Sequence, residues 1–306
     1  MANLKNIKLK IQSYKKTGTV THAMEAVSAV KMRKGQDRAF AGRSYAAAAL
    51  AILERLSGTI DIARHPLIQS RAGKICFVIV TSDKGLAGSL NSAVIRRVEN
   101  EIITSSYEKE NIVMIAIGRR GAEYFASRGY DVRLRQENVS DSVSLDDMRV
   151  VTDTLLGWHG HGEIGATFMV YTNFISTFEQ EAVARQIIPI TPALITEMLV
   201  GIRPARGRYA PVSIKATKSS PVAYTIEPDA YTVLAVLLPR LLNIVVFHGL
   251  LESKASEHSA RMVAMKSATD KANDMAKSYT RTYNKIRQAA ITAEVSEITS
   301  GMEAMK

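Results

Sequence analysis

The first stretch of the chain has the hydrophobic spacing of one long helix. Between residues 3 and 57, hydrophobic side chains recur every three or four residues, which is typical of one face of an α-helix. Ser57 and Gly58 predict its end. Residues 1–58 are therefore predicted to be an N-terminal coiled-coil helix. The residues that define its face are Leu4, Ile7, Ile11 and Tyr14, then, after a slip in register, Val20, Met24 and Val27.

The middle of the chain, residues 72–190, alternates between two patterns. Short hydrophobic runs predict strands, and the segments between them predict helices after Asn91, within 118–129 and at 144–157. Such alternation is typical of an open α/β sheet. The predicted strands are 74–80, 111–118, 130–135, 167–174 and 181–190, and the third of them reads as an edge strand.

Residues 191–226 have no clear period. Four prolines and the basic sequence RPARGR predict an irregular surface insertion that acts as a linker. Glu227, Pro228 and Asp229 then form an acidic helix start with a capping residue. From there to about residue 300 only Pro239 interrupts a helical pattern, and we expect it to kink the helix.

The C-terminal helix, residues 227–306, has a seam that alternates steps of three and four residues. This is the period of a left-handed coiled coil, and the N-terminal helix is the comparably long partner. The run 231–251 is long and hydrophobic enough to cross a membrane, but its polar interruptions favour burial against the sheet. The seam residues are Ala255, His258, Met262, Met265, Thr269, Ala272, Ala276, Tyr279, Tyr283, Ile286 and Ala290.

Charge is distributed unevenly along the chain. The net charge is +11, and residues 1–58 contribute eleven basic and three acidic side chains. A basic N-terminal arm indicates an acidic partner surface, whether protein, nucleic acid or lipid. The single cysteine, Cys76, lies in a hydrophobic strand, which fits a reducing cytoplasm.

No candidate for chemistry is strong. The turn TSDKGLAGSLN, residues 81–91, follows a strand but matches neither common nucleotide-binding glycine motif, and His159 and His161 lack companion ligands. We therefore expect no cofactor, metal or catalytic set. Two functions stay open on the residues alone. A basic coiled-coil protein would bind nucleic acid, and an α/β enzyme would have a ligand pocket near Ser82–Asn91.

Three long motifs resemble one family, the gamma subunit of bacterial F-type ATP synthases. They are VTHAMEAVSAVKMRKGQDRA (20–39), TSDKGLAGSLN (81–91), and ASEHSARMVAMKSATDKA (255–272) with YNKIRQAAITAEVSEITSG (283–301). The resemblance implies an α/β fold class, with a long antiparallel coiled coil of the N- and C-terminal helices and a central Rossmann-like α/β domain. It also implies a non-catalytic rotor shaft that couples ion flow to ATP synthesis.

The resemblance further implies partners and contact residues. The partners would be three alpha and three beta subunits, the epsilon subunit and the membrane c-ring, at the cytoplasmic face of the bacterial inner membrane, with no nucleic acid and no transmembrane segment. This sequence departs from the family's pattern at Gly18 and Thr19, and we expect a looser helix there. Contacts to alpha and beta would come from Met24, Lys31, Arg33, Lys34, Arg261, Arg287, Gln288 and Thr292, and contacts to the c-ring or epsilon from Tyr224, Glu227 and Asp229.

Overall fold

Two long helices and a five-stranded sheet make up the structure, a computed structural model that describes residues 2–41, 48, 52, 56, 65–190 and 226–305. The chain divides into two units: Met1–Ser28 with Arg261–Lys306, and Ala29–Ala260. The elements in chain order are α1 (Ala2–Ala41), β1 (Lys74–Val80), α2 (Leu90–Thr104), β2 (Ile112–Ile117), α3 (Arg119–Ser127), β3 (Asp131–Gln136), α4 (Arg149–Gly160), β4 (Ile164–Phe174), β5 (Gln180–Ile188) and α5 (Ala230–Ala304).

The sheet belongs to the second unit and has the strand order β3-β2-β1-β4-β5. The first four strands pair in parallel, and β5 runs antiparallel to β4 at one edge. The continuous hydrophobic runs of β1 and β2 are explained by their central position, because helices cover both faces of a parallel sheet. The predicted strands are confirmed within a few residues, and β3 is an edge strand as expected.

The N-terminal part of α5 completes the hydrophobic core of this unit. Leu234, Leu238, Leu241 and Val246 are fully or almost fully buried in a cluster with residues of β1 and β4. One helix of the described chain is long and hydrophobic enough to cross a membrane, and 61% of its most hydrophobic window is buried within the protein. That burial agrees with the prediction that 231–251 packs against the sheet. Pro239 lies inside the continuous helix, and the expected kink stays a prediction.

In the first unit, α1 and α5 form an antiparallel pair. The rings of Tyr14 and Tyr279 stack with centroids 5.4 Å apart, and the hydroxyls of Thr21 and Thr269 are 2.6 Å apart. The seam predicted for α5 is confirmed from Met262 to Ile286, since each of its residues is buried or half-buried. Ala290, the last residue of the predicted seam, is exposed.

Beyond Tyr14 the prediction for α1 is wrong at Val20 and Val27, whereas Met24 is half-buried. Val20 and Val27 are 58% and 56% exposed, and no slip in register occurs. The buried face instead continues through Gly18, Thr21 and Ser28, which are small enough to let the partner helix approach. A Cβ atom on Gly18 would lie 3.1 Å from the Oδ1 atom of Asn273, so Gly18 marks a close helix contact.

The predicted end of the N-terminal helix lies outside the described residues. The structure has α1 to Ala41, and Ala48, Ile52 and Leu56 are also helical. The predicted linker, 191–226, also lies outside the described residues except for Ile226.

Candidate subunit interface

The carboxyl ends of β1 and β2, where an α/β enzyme would bind its ligand, are closed in the described structure. Leu250, Ser253, Lys254 and Glu257 of α5 line this space together with Thr81, and the space left cannot hold a water-sized sphere. The ligand pocket that the enzyme interpretation requires is therefore filled by the protein's own C-terminal helix.

The turn at residues 81–91 is held by its own hydrogen bonds. The backbone N–H of Ser82 donates to the Asn91 side-chain oxygen at 2.9 Å, and the backbone N–H of Arg119 donates to the Asp83 carboxylate at 3.0 Å. Gly88 has a φ of +58°, a conformation that glycine adopts without steric cost. These contacts explain the turn as a strand-to-helix connection.

His159 is a core histidine. Its side chain is buried, and its two ring nitrogens lie 3.2 and 3.0 Å from the carbonyl oxygens of Ile164 and Pro66. His161 is exposed and contacts the Gly157 carbonyl at 2.7 Å. Within the described ranges no group of three or more candidate ligands could hold a metal ion.

The last eighteen residues of α5 have a hydrophobic stripe that nothing in the described chain covers. Every residue from Arg287 to Met305 is exposed. The stripe repeats with steps of four, three and four, so its side chains share one helix face. They are Ile291, Val295, Ile298 and Met302, which are 51–64% exposed.

The predicted contact residues of the first unit fall into two groups. Arg287, Gln288 and Thr292 lie on this exposed segment, where the Thr292 hydroxyl donates to the Gln288 carbonyl at 3.0 Å. Met24 is half-buried on α1, and Arg261 is only 9% exposed. The structure therefore places three of these five side chains at the open end of α5 and largely buries Arg261 within the chain.

In the second unit, Arg33 and Lys34 are exposed on α1. Lys31 differs, because its ammonium group lies 2.7 Å from the Asp141 carboxylate. His258 also contacts that carboxylate, and the hydrogen bonds from His258 and Lys31 lower the pKa of Asp141, with the charge of Lys254 contributing less. Sequence patterns did not single out Asp141, since its contacts, Lys31 on α1 and Lys254 and His258 on α5, come from distant parts of the chain.

The predicted foot contacts are only partly described. Asp229 caps α5, because its carboxylate accepts hydrogen bonds from the backbone N–H groups of Tyr231 and Thr232, both at 2.9 Å. The hydrogen bond from the Thr232 hydroxyl lowers the pKa of Asp229 most, and the two backbone hydrogen bonds lower it further. Glu227 is exposed, and Tyr224 lies outside the described residues.

Sequence comparisons identify relatives along the full chain. The family model described as ATP synthase matches residues 3–305. The ATP synthase gamma chain of Cupriavidus necator is 37% identical over 306 residues, and that of Pelotomaculum thermopropionicum is 33% identical over 307 residues. In both cases the match covers 100% of each chain.

Solved structures with the same fold come from ATP synthases. A chain of the Euglena gracilis mitochondrial ATP synthase, in a structure of its OSCP, F1 and c-ring, superposes with a TM-score of 0.66 at 16% identity and covers 99% of this chain and 95% of its own. A chain from a structure of the Tetrahymena thermophila central stalk and c-ring superposes with a TM-score of 0.59 at 19% identity, and the match covers 81% of this chain and 99% of that chain. These relatives and structures give no support to nucleic-acid binding. The full-length matches, together with the paired terminal helices and the five-stranded sheet, show that the chain belongs to the ATP synthase gamma chain family.

Proposed function

We propose that this chain is the central rotor shaft of an F-type ATP synthase and couples ion flow through a membrane ring to ATP synthesis on the beta subunits. As a gamma chain it is a non-catalytic subunit of that complex. The observation that carries the proposal is the uncovered hydrophobic stripe at the C-terminal end of α5.

The stripe requires an apolar surrounding. Four large aliphatic side chains on one face of a single helix are unfavourable in water, and burying each contributes about 1.5–3 kcal/mol. Contiguous exposed hydrophobic patches of this kind mark sites of protein contact. A ring of three alpha and three beta subunits would supply a sleeve around this segment, with Arg287, Gln288 and Thr292 at its polar margin.

The exposed face of α1 would meet the same ring. Val20 and Val27 lie on the outer side of α1, and Met24 is half-buried beside the seam. Farther along the helix, Arg33 and Lys34 present two positive charges, which would attract acidic loops and set orientation more than affinity. Arg261 contributes less contact area than its position in the motif implies, because it is largely buried.

The coupling would be conformational. Because two unlike helices present a different surface on each side, each beta subunit would meet a different face of the shaft. A partner that contacts two conformations unequally shifts their populations by the difference in contact free energy. Turning the shaft would therefore change the nucleotide affinity of each catalytic site in sequence.

The residues at the start of α5 would face the membrane ring and the epsilon subunit. We assign Glu227, Asp229 and Tyr224 to this contact, as the family resemblance implies. The Tetrahymena thermophila chain to which this chain is similar comes from a structure of the central stalk and c-ring. The chain would then lie at the cytoplasmic face of the bacterial inner membrane as a peripheral protein.

Co-expression with the alpha and beta subunits of the same organism tests this function. We expect a complex of three alpha, three beta and one copy of this chain by native mass spectrometry, with Mg-ATPase activity. Removing residues 287–306 should lower both the yield and the activity of the complex, and it should leave folding intact because residues 287–305 are exposed. Purification of the chain without alpha or beta, and with bound nucleic acid, would contradict the proposal.

A further inference from the structure

One carboxylate, that of Asp141, holds a loop of the α/β domain against both terminal helices in the second unit. Its Oδ2 atom lies 2.7 Å from the Lys31 Nζ atom of α1. Its Oδ1 atom lies 2.9 Å from the His258 Nε2 atom and 3.9 Å from the Lys254 Nζ atom of α5. Three elements that are far apart in sequence therefore meet at one acidic side chain.

Backbone contacts strengthen this junction. The guanidinium of Arg38 donates a hydrogen bond to the Asp141 carbonyl, and the Lys254 ammonium donates one to the Val139 carbonyl at 2.7 Å. Both helices thus hold the loop through its backbone as well as through the carboxylate. We call these five residues, Lys31, Arg38, Asp141, Lys254 and His258, the Asp141 junction.

The junction lies beside a close contact of the two helices. A Cβ atom on Gly35 would lie 3.4 Å from the Cβ atom of Ala255. Lys31 and Arg38 lie one turn before and one turn after Gly35 on α1, and His258 lies one turn after Lys254 on α5. The loop therefore presents its carboxylate to basic side chains on both helices where the helices approach closely.

On the α5 side, burial makes the contacts stronger than an ordinary surface ion pair, whereas the Lys31 and Asp141 side chains are 47% and 37% exposed. The side chains of Lys254 and His258 are only 14% and 7% exposed, and exposed pairs contribute little by comparison. Removing the shared acceptor would leave two partly desolvated donors next to further basic groups, which costs more than losing a solvated pair. The low pKa of Asp141 keeps its carboxylate ionised at every physiological pH.

We propose that Asp141 is a positioning residue that locks α1 and α5 to the α/β sheet, so that both helices turn with that domain as one body. The proposal rests on the rotor function proposed above. α5 is already fixed to the sheet by its buried leucines. Among its described side chains α1 contributes Ala39 to that core, and the junction adds the polar contacts of Lys31 and Arg38.

The test compares Asp141→Ala with Asp146→Ala in the complete ATP synthase in inverted membrane vesicles. Asp146 is a matched control, because it lies five residues away and pairs with Arg149 at 3.0 Å, but both side chains are at least 67% exposed. ATP hydrolysis and ATP-driven ion uptake are measured together, with dyes for protons and for sodium. We expect Asp141→Ala to assemble and hydrolyse ATP but to move at least about twofold fewer ions per ATP, whereas Asp146→Ala should behave like the wild type.

Hydrogen exchange on the full isolated chain gives a second readout. Because hydrogen bonds to charged groups are the strong ones, we expect amides of α1 near Lys31 and of the loop around Asp141 to exchange about tenfold faster in Asp141→Ala than in Asp146→Ala. If the wild-type complex does not couple ATP to ion movement, the rotor function fails, and exchange still decides whether the junction locks the helices.

Two results would overturn the proposal. The first is an Asp141→Ala complex with wild-type ion movement per ATP and wild-type protection of α1. The second applies if Asp141→Ala does not assemble. The double variant Lys31→Met and Arg38→Met then removes both contacts of α1 with Asp141, and normal coupling and protection in that variant would show that the junction is not needed.

Discussion

At the scale of single residues, Gly118 connects β2 to α3 at a point of very close backbone approach. Its φ is +98°, and its N–H donates to the Gln136 carbonyl at 2.8 Å. A Cβ atom at this position would lie only 2.0 Å from the carbonyl oxygen of Thr81. Both the conformation and the space therefore require glycine, and the end of β1 is positioned by this contact.

We expect Gly118→Ala to destabilise the chain by about 3 kcal/mol or more, because backbone strain and a steric clash add together. Gly88→Ala is the matched control. Gly88 also has a positive φ, but a Cβ atom added there would have no neighbouring atom within 4 Å, so only the backbone term of about 1–2 kcal/mol applies. Urea unfolding of both variants measures the difference, and equal losses would show that the clash is relieved by movement of the turn.

Residues that act across the chain could not be predicted from local patterns. Asp141 occurs in the polar sequence NVSDSVS, where nothing distinguishes it from a solvated loop residue. Its importance arises only when folding brings Lys31, Lys254 and His258 to it. The same contact changes the interpretation of Lys31, because this side chain pairs with its own chain, whereas the motif alone predicts that it faces the ring.

At the scale of elements, buried hydrophobic runs were predictable and the contact face of α1 was not. The strands could be predicted because central parallel strands are hydrophobic throughout. On α1 the hydrophobic criterion favoured Val20 and Val27, but the close helix pair selects small side chains such as Gly18 and Ser28. Where these two helices approach closely, small side chains form the buried face, and the hydrophobic side chains Val20 and Val27 lie on the exposed face.

The hydrophobic stripe of α5 leads to a prediction of its own. Ile298→Ser should leave the stability of the isolated chain within about 0.5 kcal/mol of the wild type, because Ile298 is 64% exposed. In the complex the substitution should weaken association by about tenfold or more, because the interface loses the burial of the isoleucine side chain.

Ile103→Ser is the control for this prediction, since Ile103 is 73% exposed on α2 and lies outside the proposed sleeve contact. Competition between variant and wild-type chains for a limiting amount of alpha and beta subunits measures the effect. Equal competition by Ile298→Ser and Ile103→Ser would show that the stripe is not in contact with the ring.

At the scale of the whole molecule, the described parts of the chain combine two long terminal helices with a five-stranded sheet. The crevice at the carboxyl ends of the strands is filled by α5, so the sheet serves as a support for helices. Exposed hydrophobic side chains form a stripe at the end of α5 and include Val20 and Val27 on α1, where partner subunits would close over them. Folding and assembly are therefore linked, and the isolated chain should be less stable than the complex.

Direct observation of rotation is the decisive measurement. The native Cys76 is fully buried, and burial raises the pKa of its thiol to about 12, so an Ile103→Cys variant offers one reactive thiol for attaching a bead. With alpha and beta subunits fixed to a surface, we expect the bead to turn in one direction in discrete steps when Mg-ATP is added. A stationary bead on complexes that are shown to hydrolyse ATP would contradict the rotor function.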